Sequence, residues 1–144
     1  IQASTPKNYV SGKAADHFNR YEEDFKLAKQ LHLNALRSGI EWSRIEPEEG
    51  VFDEKALQHY KDYFSKLRSI GITPVVTLWH WTFPTWFDDK GGFEKRKNVK
   101  YFIRYVQYIA DAMGKDFTYV ITINEPTIYA TMSYHQEKWP PEES

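Results

Sequence analysis

Thr118-Tyr119-Val120-Ile121-Thr122-Ile123-Asn124-Glu125-Pro126 runs a block of strand-forming residues straight into an amide, a carboxylate and a proline. Tyr119 to Ile123 is built from the β-branched and aromatic types that suit a pleated, half-buried surface. Pro126 has no N–H to give to a ladder, so pairing must stop close to it. Asn124 and Glu125 are therefore delivered side by side at the end of a strand. A carboxyl group set at an apolar rim is pushed toward its neutral, proton-carrying form. An amide beside it can hold a hydroxyl. Together they are the equipment of a proton donor to a leaving oxygen. The plainer reading is a surface carboxylate paired with an arginine.

Upstream the same alternation recurs. From Ala15 to Leu33 the residues Phe18, Tyr21, Phe25, Ala28 and Leu31 follow a helical period, and Ala35-Leu36-Arg37 opens a strand. Asp53 caps a second helix whose buried stripe is Leu57, Tyr60, Phe64, Leu67 and Ile70, with Gly71 at its end. Thr73 to Trp79 is a mostly apolar strand. Asn98 is placed to cap a third helix with Val99, Phe102, Ile103, Val106, Ile109 and Met113 on one side, and Gly114 closes it. Helices thus alternate with strands expected near 34–39, 73–79 and 119–124. Consecutive apolar positions predict strands buried on both faces, as in a parallel sheet covered by helices. A doubly wound sheet and an arc of a (β/α)8 barrel both fit. No G-x-G-x-x-G or P-loop follows any strand. Instead the strand ends carry Arg37, His80-Trp81 and Asn124-Glu125, and convergence of polar groups on one rim is how a barrel builds a site.

The totals narrow the function further. With 144 residues and a net charge of −1, the chain gives no electrostatic reason to expect nucleic acid or an anionic membrane as partner. It has no cysteine, hence no disulfide, thiol nucleophile or thiolate metal site. No apolar run is long enough for a membrane helix. The remaining histidines, His17, His32, His59 and His135, have no ligand spacing, and neither metal nor cofactor is expected. The chain begins at Ile1 without a signal-peptide pattern and reads as a cut or processed piece, its compartment open with the cytoplasm favoured. Aromatic residues are abundant, which suits core packing first and sugar-stacking platforms second.

Four blocks in order resemble glycoside hydrolase family 1, the β-glucosidase and β-galactosidase family. They are Ala15 to Asp24, Arg37 to Ile45 ("RSGIEWSRI"), Thr73 to Trp81 ("TPVVTLWHW") and Thr122 to Pro126 ("TINEP"). The last three resemble the second, third and fourth barrel strands with their loops. The resemblance implies a single incomplete barrel segment over 1–144, about three βα units around those strands. It implies a retaining β-glycosidase acting on terminal β-D-glycosides. Glu125 would be the general acid/base, Asn124 the residue holding the sugar 2-hydroxyl, and Arg37 the arginine near the nucleophile. His80 and Trp81 would line the sugar pocket, and Gln2 is similar to the glutamine that ends the first strand.

The chain departs from the family at Ser38-Gly39 after the arginine, at Thr82 where Asp is frequent, and at Phe93 after Gly91-Gly92. A retaining mechanism also needs a second carboxylate about 5 Å from the first, which the family carries on strand seven. No Glu or Asp in the chain has the context to replace it; Glu41, just beyond the second strand and beside Trp42, is the nearest candidate. The implied partners are a carbohydrate substrate and the remaining barrel segments, and the piece alone should be inactive. The competing readings are a non-catalytic sugar-binding or assembly fragment, and another barrel glycosidase family of the same clan.

Overall fold

A computed structural model describes residues 12–139. Thr73–Trp79 (β2) is the middle strand of a parallel three-stranded sheet, between Ala35–Gly39 (β1) and Tyr119–Ile123 (β3). The register sets Arg37 beside Val75, and Thr77 beside both Gly39 and Ile121. His17–Gln30 (α1) leads into β1. Trp42–Ile45 (α2) and Glu54–Ser69 (α3) carry the chain to β2. Thr85–Asp88 (α4), two 3-10 turns and Val99–Met113 (α5) carry it to β3, and Pro126–Ala130 (α6) follows.

Each long helix forms because its apolar residues recur on one side. In α3 the buried side is Leu57, Tyr60, Tyr63, Phe64 and Leu67. The Asp53 carboxylate accepts from the free N–H groups of Lys55 and Ala56 at 2.8 and 3.0 Å, the cap expected from sequence. Gly71, at φ 78°, takes the left-handed turn that releases the chain into β2. In α5 the buried side is Phe102, Tyr105, Ile109 and Met113. The Tyr105 hydroxyl reaches the carbonyls of Ile40 and Leu78 at 3.2 and 3.0 Å, spanning the ends of two neighbouring strands.

Glu46 is fully buried, an expensive place for a carboxylate. Trp42 Nε1, the Gly50 N–H and the Arg104 guanidinium all donate to it, which is what makes its burial tolerable. It ties the loop after α2 to α5.

Several local expectations are corrected. α1 spans His17–Gln30 rather than Ala15 to Leu33, and Leu31, lying past the helix end, is 72% exposed. On α5 the buried stripe passes through Tyr105, leaving Val99 and Ile103 exposed. Asn98 does not cap α5. Its buried amide donates instead to the carbonyls of Lys90 and Gly92, at 3.0 and 2.9 Å, and closes the preceding loop. Among the described residues, only β2 is covered on both faces. β1 and β3 each pair on one side among the described residues, and Tyr119 and Val120 are 59% and 48% exposed.

Candidate active site

Arg37 sits in β1, exposed, and its side chain crosses the sheet. Nε donates to Thr77 Oγ1 on β2 at 2.8 Å, and Nη2 donates to Asn124 Oδ1 beyond the end of β3. One guanidinium therefore joins all three strands. Its rigid fork suits this, because two donors leave it in fixed directions. Asn124 is only 5% exposed, so its amide is held rather than mobile. Its N–H donates to the Trp79 carbonyl at 2.9 Å, the last rung beside β2.

Glu125 follows in the left-handed region, at φ 39° and ψ 60°, with its side chain exposed. Pro126 then occupies the first position of α6, where a missing N–H costs nothing. Strand end, carboxylate and helix start thus fall on three consecutive residues. Glu125 is exposed, not buried at the apolar rim expected from sequence.

After β2 the turn His80-Trp81-Thr82 carries a second positive φ, 76° at Trp81. Trp81 Nε1 donates to the Asn124 carbonyl at 2.8 Å. Its ring lies 5.0 Å from His80, edge-on, and 4.7 Å from Trp139. No local pattern announces the Trp139 contact, fifty-odd residues away. Thr77 stands out in the sequence as a hydroxyl within a mostly apolar strand, but its link to Arg37 follows only from the strand register. His80, Glu41, Thr82, Ser38 and Tyr63 line a cavity of about 290 Å³ beside β1.

Arg37, Asn124, Trp81 and His80 are thus brought together, with Glu125 next to Asn124. Gln2 lies outside the described residues. No group of three His, Cys, Asp or Glu among the described residues is arranged to hold a metal ion, and no described helix is long and apolar enough to cross a membrane.

This arrangement, strand-end polar groups on a parallel sheet, has close counterparts. The sequence model of Glycosyl hydrolase family 1 matches residues 1–144. The chain belongs to glycosyl hydrolase family 1. β-Glucosidase A of Acetivibrio thermocellus is 36% identical over 135 residues, covering 90% of this chain and 30% of that protein. A β-glycosidase from Pyrococcus horikoshii superposes with a TM-score of 0.87 at 44% identity, over 92% of this chain and 31% of that one. A β-glucosidase from Exiguobacterium marinum superposes with a TM-score of 0.92 at 31% identity, over 99% of this chain and 32% of that one. The choice between architectures is thereby made. The three units are an arc of a (β/α)8 glycosidase barrel rather than part of a doubly wound sheet. The chain spans about 30% of the length of the curated relatives it matches.

Proposed function

We propose that this chain is one segment of a retaining β-glycosidase barrel and carries its general acid/base, Glu125. The observation that supports this most is the junction after β3. Asn124 is pinned by Arg37 and by the ladder to β2, and Glu125, the next residue, presents an exposed carboxyl group. In the forward step Glu125 gives its proton to the glycosidic oxygen as the bond breaks. In the second step the same carboxylate takes a proton from water as that water attacks the glycosyl-enzyme. Asn124 holds a sugar hydroxyl while Arg37 keeps its amide in orientation. His80 offers one donor and one acceptor to hydroxyls, and Trp81 an apolar face. The substrate is a terminal β-D-glycoside. The nucleophile comes from the rest of the barrel, so the 144-residue chain by itself does not turn over.

The test uses Glu125→Ala in the full-length protein. Hydrolysis of glycosides with poor leaving groups should fall by about 10² to 10⁴. Aryl glycosides with good leaving groups should still form the glycosyl-enzyme, which then accumulates. Azide needs no base and should restore turnover, giving a β-glycosyl azide. An α-azide would reassign Glu125 as the nucleophile, and unchanged hydrolysis of poor-leaving-group substrates would remove it from the chemistry altogether.

A further inference from the structure

The turn His80-Trp81-Thr82 is fastened from two directions. On the β3 side, Trp81 Nε1 donates to the Asn124 carbonyl at 2.8 Å. On the β1 side, Thr82 Oγ1 donates to the Glu41 carboxylate, 2.8 Å from Oε1 and 3.0 Å from Oε2. That carboxylate also accepts from Ser43 Oγ at 3.1 Å, and the Glu41 N–H donates to the Tyr60 hydroxyl at 3.0 Å. Tyr60 belongs to the buried side of α3. The Thr82 carbonyl in turn accepts from the buried Trp79 indole at 2.9 Å. Half-buried Glu41 is thus tied to the core through its backbone N–H, and its carboxylate holds the exposed Thr82 through a hydrogen bond strengthened by its charge.

The grip matters because of the residue between. Trp81 holds φ 76°, a conformation that bulky side chains avoid. Such backbone persists only where its surroundings over-determine it. The contacts just described are that over-determination. Glu41, Thr82 and His80 also line the same cavity, so a slack turn would change its wall.

We infer that Glu41 is a positioning residue whose carboxylate, acting through the Thr82 hydroxyl, fixes the turn that aims His80 and Trp81 at the sugar. The sugar as ligand rests on the glycosidase reading above; the clamp itself does not. In this role Glu41 acts as a hydrogen-bond acceptor.

The test is made in the full-length protein. Thr82→Val deletes the hydroxyl at nearly constant volume. Thr82→Val and Glu41→Ala should each lower kcat/KM for a chromogenic aryl β-D-glucoside by roughly ten- to a hundred-fold, chiefly through KM. The double variant should lose no more than the worse single one, because both cut the same link. Thr82→Ser keeps the donor and Glu41→Gln keeps an acceptor, and both should stay within about three-fold of wild type. Azide should restore none of the losses. Additive losses in the double variant, a wild-type KM in Thr82→Val, or Glu41→Gln as damaged as Glu41→Ala would overturn the clamp. Crystals of full-length Thr82→Val separate the two ideas. A displaced turn there supports the clamp even if the protein proves not to be a glycosidase, and an unmoved turn with positive φ at Trp81 refutes it.

Discussion

The turns after β2 and β3 solve one problem in opposite ways. Each carries a non-glycine residue at positive φ, 76° at Trp81 and 39° at Glu125. Trp81 is held by its indole N–H, by two neighbouring rings and by Thr82 next to it. Among the described residues Glu125 is held by backbone alone: its carbonyl accepts from the Tyr129 N–H at 3.1 Å, while its carboxyl group stays exposed. The difference suits the proposed division of labour. A group that recognises a sugar must keep one orientation, because misplacement by an ångström is costly. A group that passes protons must be reachable by both leaving oxygen and water.

Arg37 supports both turns through Asn124, so its loss should have the largest effect. Arg37→Met leaves the Thr77 hydroxyl and the nearly buried Asn124 amide without their charged donor. A hydrogen bond to a charged group contributes about 1.5–3 kcal/mol. The full-length variant should therefore lose roughly 2 kcal/mol of stability in urea denaturation and about a hundred-fold in kcat/KM. A loss of stability with unchanged kinetics would mean that Arg37 supports the sheet but not the site.

Tyr60 underlies only the β2 turn, and there the expectation concerns pH. Burial pushes its hydroxyl up to about 12, with the N–H from Glu41 pulling the other way. In the unfolded chain the same group titrates near 10. A raised value in the folded state means the stabilising form is the neutral phenol. Its contribution is therefore intact below pH 10 and is lost as pH rises from 10 through 12. Between pH 9 and 11.5 the loss from this one group should be about 2 kcal/mol. Tyr105, deeper still and raised by burial, adds to the alkaline loss. Urea denaturation of wild type and Tyr60→Phe at both pH values isolates the Tyr60 share; parallel pH profiles would refute it.

The smallest effect concerns the strain at Glu125. Glycine adopts the left-handed region without a Cβ penalty of about 1–2 kcal/mol. Glu125→Gly should consequently be more stable than Glu125→Ala by about 1 kcal/mol, although both lack the carboxyl group and should be equally slow. Equal stabilities would show that the Glu125 backbone is relaxed, and the likeness between the two turns would fail.

The β3 stretch and the three strand positions were legible because strand chemistry, proline and the polar strand ends all point one way. Asp53 was legible as a cap for the same reason: its partners lie two and three residues on. Asn98 had the same local signature and was misread. Its amide is claimed by two carbonyls of its own loop, six and eight residues back, which helix rules do not describe. Leu31 and Ile103 keep the helical period yet face outward, because period gives a stripe but not its edges. The Arg104–Glu46 pair and the Glu41–Thr82 link join residues 58 and 41 apart. No single-sequence pattern announces contacts at such separations. At the site, Asn124 and His80-Trp81 could be read as strand-end groups, whereas Thr77, which shares Arg37 with Asn124, needed the register.

The Tyr105 hydroxyl, bridging Ile40 and Leu78, also bears on the order in which the chain acquires its shape. Everything this contact requires, β1, α3, β2 and α5, lies before β3 in sequence. A chain leaving the ribosome can therefore latch its first two strands together while the third is still inside the exit tunnel. β3 then adds to the edge of β2, bringing Asn124 to Arg37. On a growing polypeptide this corner of the sheet is latched before Glu125, the proposed proton donor, has emerged.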